Sequence, residues 1–263
     1  MTSAPGVMLT AALAILGLMI VAWLVSVIVK DASIVDIVWG LGFVIVAWAV
    51  HARADGNDAR RWLLSILTTI WGLRLAGYLA KRNLGHGEDY RYRAMRKHYG
   101  PKFPIISFFT VFLLQGTLMF IVSLPVQLGQ VRRTPDVGVV GYLGAAVWLI
   151  GLGFEAIGDL QLARFKAQPD NNGKVMDRGL WRYTRHPNYF GDACVWFGLA
   201  IIAAESGIGA IGFVGAIVMT ILLRRVSGVV MLEKTIGKRR AGYADYIERT
   251  SPFIPRPPKQ SAR

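Results

Sequence analysis

The sequence predicts an all-α polytopic membrane protein of about seven transmembrane helices, and three observations lead there. Of its 263 residues 54% are hydrophobic, and the mean hydropathy of +0.42 is too high for an ordinary soluble domain. The apolar residues fall in blocks, several of them long enough to cross a hydrocarbon core of about 30 Å at about 1.5 Å per residue. Lysine and arginine then concentrate in alternate connectors, the pattern of loops kept on the cytoplasmic side.

The first block, 7–29, contains no charged side chain. It lacks a basic leader and a small-residue cleavage site followed by a polar sequence, so it is expected to stay as the first helix and not to be removed as a signal peptide. Further blocks run over 34–50, 62–80, 105–128, 137–158, 189–204 and 208–223. The last two are short and separated only by Glu205, Ser206 and Gly207. They are expected as a tight hairpin or a re-entrant pair, which makes the count seven, with six as the alternative.

With seven helices and an outside N-terminus, the inside segments carry Lys30, seven basic residues between 81 and 102, six between 164 and 185 and ten between 224 and 263. The outside segments carry five, Arg53, Arg60, Arg61, Arg132 and Arg133, while Arg74 falls inside the third helix. The asymmetry predicts an outside N-terminus and a cytoplasmic C-terminus. Topology signals and anionic lipid headgroups account for part of the net charge of +14. A polyanionic cofactor accounts for the interleaving of the basic residues with Tyr, His, Asn and Asp. Nucleic acid, a protein partner and a metal are not expected. The lone Cys194 excludes an internal disulfide and a CxxC site, and its apolar surroundings suggest simple packing. There is no repeat and no domain-sized polar segment, so one membrane domain is expected, with 1–130 as a substrate-pocket half and 131–263 as a cofactor half.

Three charged stretches look like more than connectors: 81–104, 159–188 with its PDNNG turn signal, and 224–257. The densest run is GLWRYTRHPNYFG at 179–191. Arg182 and Arg185 suit phosphate oxygens, Asn188 offers both a donor and an acceptor, and Tyr183 or Tyr189 can stack on a flat ring. The competing reading is an interfacial belt of aromatic and basic residues.

GLWRYTRHPNYFGD resembles the C-terminal signature shared by steroid 5-alpha-reductases, sterol C14 and C7 reductases and isoprenylcysteine carboxyl methyltransferases. The chain as a whole is similar to the steroid-5-alpha-reductase-like bacterial branch known as DUF1295, through DASIVDIVWGLGF, RNLGHGEDYRY, LQG, FEAIGDLQLARFK, SGVVMLEK and YADYIERTSPFIP. The resemblance implies a C-terminal half that holds NADPH at the cytoplasmic face of a bacterial inner membrane. It implies N-terminal helices that admit a steroid or isoprenoid-like lipid, whose activated carbon-carbon double bond receives the hydride. By the same resemblance Asn188 matches the motif asparagine, Asp192 stands where steroid reductases carry Glu, and Asp159 matches an acidic cofactor position. Lys166, Lys174 and Arg224 match basic contacts, with Arg164, Arg185 and His186 beside them. Tyr183, Tyr189, Tyr243 and Tyr246 complete the expected cofactor site. The methyltransferases share the His-Pro-x-Tyr run and a Glu on the last helix, here Glu233. An S-adenosylmethionine-dependent methyltransferase is therefore the alternative, and a non-catalytic member of the fold a third reading.

The steroid reductases' Gln-Glu pair has no counterpart here. Asp36 is the nearest candidate, since an aspartate inside an apolar span costs on the order of 2.5 to 3.5 kcal/mol and needs a partner or a task. Pairing with Arg74 is one expectation; donation of a hydrogen bond to a developing enolate oxygen is the other. Tyr78 is a second candidate, and Glu88, in a Glu88-Asp89-Tyr90 cluster, a third, as either a catalytic group or part of a solvated acidic patch.

Overall fold

In the computed structural model, residues 3–226 and 242–259 are described. The described chain is helical, with no strand and only a bridge between Thr184 and Ser251. Its first helices are α1 (Ala4–Val29), α2 (Ile34–Arg53), α3 (Asp58–Asn83) and α4 (Tyr90–Tyr99). Then come α5 (Phe103–Ser107), a π-helical turn at Phe108–Leu113, α6 (Leu114–Val122) and α7 (Leu124–Leu128). The remainder holds α8 (Val139–Ala167), α9 (Pro187–Ala204), α10 (Phe213–Ile221) and α11 (Tyr243–Arg249).

Six stretches among the described residues are long and apolar enough to cross a bilayer: α1, α2, α3, Tyr90–Val122, α8 and Ile208–Arg225. The chain is a multi-pass, all-α membrane protein. The count by length and composition is thus the lower of the two that the hydropathy blocks allow. Helix α9 forms where the sixth block predicted one, but its first six residues include Asn188 and Asp192, which lower the hydropathy of an 18-residue helix.

The chain divides into two compact units. The first holds residues up to Gly141 together with Leu199–Gly215. In it α1 shows how a membrane helix is read inside out. Its buried stripe is Val7, Ala11, Ile15, Met19, Ala22 and Ser26, recurring every three or four residues. Leu9, Leu13, Val21 and Ile28 stay exposed on the rest of its surface. With lipid as apolar as leucine, apolarity alone does not select the inner face, and Ala11, Ala22 and Ser26 alternate there with Val7, Ile15 and Met19. Small residues also join α2 to α3. A Cβ on Gly40 would lie 2.5 Å from the Gly72 carbonyl, and one on Gly72 would lie 2.6 Å from the Gly40 carbonyl. Phe43 then packs edge-on against Trp71 beside this crossing.

Several buried polar groups of this unit are paired, while Thr68 Oγ1, Gln127 Oε1, Gln130 Oε1 and Glu205 Oε2 are buried without a hydrogen bond among the described residues. Arg60 is fully buried, and its guanidinium donates to the carbonyls of Gly129 (2.8 Å), Pro135 (2.7 Å) and Arg132. It thereby ties the 129–135 connector to α3 through charge-assisted bonds. Gln127 is fully buried on α7 and donates to the Phe120 carbonyl and Ser123 Oγ, both at 2.8 Å. Glu205, in the α9–α10 turn, accepts from Gly138 N at 2.9 Å and so caps the start of α8.

The second unit holds Tyr142–Gly198 and the described residues beyond Ala216. Helices α8 and α9 meet along a ladder of glycines. A Cβ on Gly191 would lie 2.5 Å from the Gly151 carbonyl, and one on Gly198 2.7 Å from the Gly144 carbonyl. Beyond the helices, Phe165, Met176 and Trp181 form a small core with Leu162. Trp181 Nε1 donates to the Gly158 carbonyl at 3.0 Å, anchoring the loop to α8.

This ladder predicts a position-specific effect. Gly151→Leu, whose Cβ would meet the α9 backbone at 2.6 Å, should lower the melting temperature sharply, by an amount typical of overpacking at about 1–3 kcal/mol or more. Gly153→Leu, two residues on with nothing within 4 Å, should melt like the parent. Thermal unfolding of both variants in detergent checks this.

Candidate functional site

Two polar constellations stand out, one in each unit. The first is built at the start of α2, where Asp36 occupies the opening turn. Asp36 Oδ2 receives Nη2 of Arg91 at 3.0 Å, and Oδ1 receives the hydroxyl of Tyr92 at 3.1 Å. Gln115 Nε2, from α6, donates to the same Tyr92 oxygen at 3.4 Å. Three helices therefore bring an aspartate, a phenol and a carboxamide to one point, and Tyr92 is buried there. The expected pairing of Asp36 with Arg74 is corrected to one with Arg91, because α4 folds back along the start of α2 and presents its guanidinium. Tyr78 is half-buried on α3, while the tyrosine that meets Asp36 is Tyr92.

Glu88 has both oxygens engaged. Oε1 accepts from Ala32 N at 2.9 Å and from Arg96 Nη2 at 2.8 Å; Oε2 accepts from Arg96 Nε at 2.9 Å. Its neighbour Asp89 caps α4, accepting from Arg91 N at 2.9 Å, and its own N–H reaches Ser33 Oγ at 2.7 Å. These bonds latch the α3–α4 loop onto the α1–α2 turn. Burial raises the Glu88 carboxyl, but the Arg96 fork and the Ala32 amide outweigh it and hold it below its ordinary value of 4.5. Asp89 is likewise lowered, with Arg91 overcoming burial. Glu88 is engaged on both oxygens, and Glu88 and Asp89 balance Arg96 and Arg91, as the acidic-patch reading expects, with Tyr90 exposed beside them.

The second constellation is the 179–191 run. Gly179 has φ +59°, a conformation that favours glycine, and opens the turn that leads into α9. Asn188 Nδ2, at the start of α9, donates to Asp159 Oδ1 of α8 at 3.1 Å. Asp159, Glu155 and Asp192 are all buried, so the close α8–α9 crossing gathers three acidic residues near the motif. His186 is buried and lies parallel to Tyr189, ring centroids 5.4 Å apart. Among the described residues no group of three His, Cys, Asp or Glu side chains is placed to hold a metal.

Several expected cofactor residues do structural work in this geometry. Arg185 is buried and its Nη1 donates to the carbonyls of Ile247 (2.9 Å) and Thr250 (2.7 Å), while its amide donates to Ser251. With Thr184 Oγ1 bonded to the Phe253 carbonyl at 2.8 Å, it fastens the C-terminal segment to the motif. Tyr246 donates to the Trp181 carbonyl and Tyr243 is buried beside it. Burial pushes the Tyr246 hydroxyl well above the usual tyrosine range, so it stays a neutral donor. Arg224 lies over the Phe253 ring at 5.3 Å. Arg164, Lys166, Lys174, Arg182 and Tyr183 are exposed. Glu233 and the SGVVMLEK run lie outside the described residues.

A family model described as "Protein of unknown function (DUF1295)" matches residues 22–250. The chain belongs to the DUF1295 family. Both constellations lie within the matched span. The chain is also 26% identical over 217 residues to an uncharacterized protein, C594.04c, of Schizosaccharomyces pombe (strain 972 / ATCC 24843). That alignment takes in 71% of this chain and 62% of the relative, so the chain spans less than two thirds of the relative's length. No solved structure matches it.

Tyr92, Arg91 and Gln115 were missed by sequence reasoning. Gln115 had a usable signal, a carboxamide inside the apolar block 105–128. Tyr92 lies in the RNLGHGEDYRY stretch that carries the resemblance, but it sits among seven other charged or aromatic residues in YRYRAMRKHY and only the fold singles it out.

Two outcomes follow from these contacts. Glu88 and Asp89 are held below their ordinary values, so their contribution is full above those values and is lost as pH falls through the depressed ones. The melting temperature should therefore be level from about pH 7 to about pH 5 and fall below about pH 4, with Glu88→Gln flattening part of that fall and lowering the plateau by roughly 2–4 °C per kcal/mol lost. Arg185→Ala should release the C-terminal segment, seen as new protease cleavage between residues 242 and 259 while α8 and α9 remain intact.

Proposed function

We propose that the protein is an NADPH-dependent reductase of an activated carbon-carbon double bond in a steroid or isoprenoid-like lipid. In this reading it works in a bacterial inner membrane, with α9 as a seventh crossing beside the six that length and composition give, and so with its N-terminus outside and its C-terminus in the cytoplasm. The observation that carries the reading is the Tyr92 hydroxyl, held at 3.1 Å from Asp36 and 3.4 Å from Gln115 in a unit whose outer surface is apolar.

Reduction of an enone needs hydrogen-bond donors at the oxygen where enolate charge develops, set in a site that excludes water. Tyr92 O–H and the second N–H of Gln115 are two such donors, carried on separate helices and converging within 3.4 Å of each other. Asp36, itself fixed by Arg91, orients the phenol and receives its hydrogen bond when no substrate oxygen is present. Asp36 is thus the residue that positions the donor, and Tyr92 replaces it as the group that meets the substrate.

NADPH, when bound, supplies the hydride. The donor set of the second unit suits such a polyanion. Arg164, Lys166, Lys174 and Arg182 are exposed for its phosphates, and Tyr183 is 43% exposed for stacking. Asn188, aligned by Asp159, offers an amide to the nicotinamide or ribose. Arg185, Tyr243 and Tyr246 shape this region from behind.

Binding to the purified protein is the first test. NADPH should bind and S-adenosylmethionine should not, and Asn188→Ala should weaken NADPH about tenfold or more. Tyr92→Phe should keep NADPH affinity while slowing NADPH oxidation with a panel of enone lipids by about 10²-fold. Binding of S-adenosylmethionine in place of NADPH would move the protein to the methyltransferase class, and full turnover in Tyr92→Phe would remove the donor assignment.

A further inference from the structure

Helix α4 sorts its basic residues by face. Arg91 and Arg96 turn inward, where they pair with Asp36, Asp89 and Glu88 and lie over the rings of Tyr92 (5.3 Å) and Phe103 (4.4 Å). Arg93 and Lys97, four residues apart, turn outward with His98, and all three are exposed. No carboxylate among the described residues lies within ion-pair distance of Arg93, Lys97 or the exposed Lys102. The hydrogen-bonded partners of Glu88 and Asp89 are Arg96 and Arg91, while Arg93 acts on Glu88 only through space.

Tyr90, at the start of α4, is 61% exposed. Gly100, with φ +53°, breaks the helix after Tyr99, so α4 does not continue straight into the span that follows. Lys102 is followed three residues later by Ile105, 66% exposed, and then by Phe109, 57% exposed. Three residues of helix rise about 4.5 Å, so the basic face ends within one turn of the first lipid-facing side chain. Cations within one turn of such an apolar side chain can reach the phosphates of lipids that border the span.

We propose that the outward face of α4, with Arg93 and Lys97, together with Lys102 just beyond its end, binds the phosphate groups of anionic phospholipids in the adjoining leaflet. Each Lys or Arg near an anionic surface adds attraction of useful size, and the effect is screened by salt. This inference stands apart from the reductase reading, since it uses none of that site's reacting groups.

The experiment titrates the purified full-length protein in detergent with phosphatidylglycerol, phosphatidylcholine or inorganic phosphate and follows the melting temperature. Phosphatidylglycerol should raise it saturably, and phosphatidylcholine and free phosphate should not. The double variant Arg93→Gln/Lys97→Gln should melt like the parent without lipid and need about tenfold more phosphatidylglycerol for the same rise. The charge-preserving swap Arg93→Lys/Lys97→Arg should respond like the parent. Arg256→Gln/Lys259→Gln, which removes the same charge from another exposed pair, should also respond like the parent. Equal stabilisation by phosphatidylcholine, an unaltered response in the α4 double variant, or an equal loss in the Arg256/Lys259 variant would overturn the proposal. Stabilisation by free phosphate at the same concentration would assign the face to a soluble anion instead of a lipid.

Discussion

A charged or hydrogen-bonding side chain inside a lipid-facing helix bundle has to bring its partners with it, because hydrocarbon offers none. Most of what is specific in this protein follows from that constraint. Asp36 is placed in a span and answered by Arg91 and Tyr92. Arg60 is buried and answered by three backbone carbonyls. Arg185 is buried and answered by two. In each case the answering groups come from a connector or a short helix, so satisfying the buried group also fixes the loop that supplies the partner.

The partners can reach because the helices approach closely. Glycine at 40 and 72 lets α2 meet α3 with backbone against backbone, and glycine at 151 and 191 does the same for α8 and α9. The second of these contacts draws Asn188 toward Asp159 and places the acidic residues of α8 beside the motif at the head of α9. Close packing and polar pairing are thus two halves of one arrangement. The lipid-facing surfaces, by contrast, are filled with leucine, isoleucine and valine and specify little.

Arginine serves three separate purposes along this chain, and neighbouring positions differ. At 185 it is a strut for the C-terminal segment. At 96 it is the fork that secures Glu88, and at 91 it bridges two aspartates. At 93 and 182 it is exposed. The high net positive charge therefore divides into cations that hold the fold together and others, such as Arg93 and Arg182, that stand exposed.

The spans were legible in the sequence, because a bilayer demands about 20 apolar residues and a local run declares itself. The turn at Glu205 to Gly207 was legible as well, through its glycine. The Glu88 cluster, the isolation of Asp36 and the density of the 179–191 run were visible as anomalies in an apolar chain. What the sequence could not assign were the partners. Arg74 and Arg91 are equivalent choices for Asp36 when only the chain is read, as are Tyr78 and Tyr92. The choice depends on how α4 folds back after the Glu88 latch, a contact between residues 56 positions apart. By the same token Arg185 looks like an anion ligand in the motif and becomes a strut only when residues 247 and 250 arrive beside it. Local composition determined where the helices run; long-range pairing, forced by the cost of an unpartnered polar group in lipid, decided what each polar side chain does.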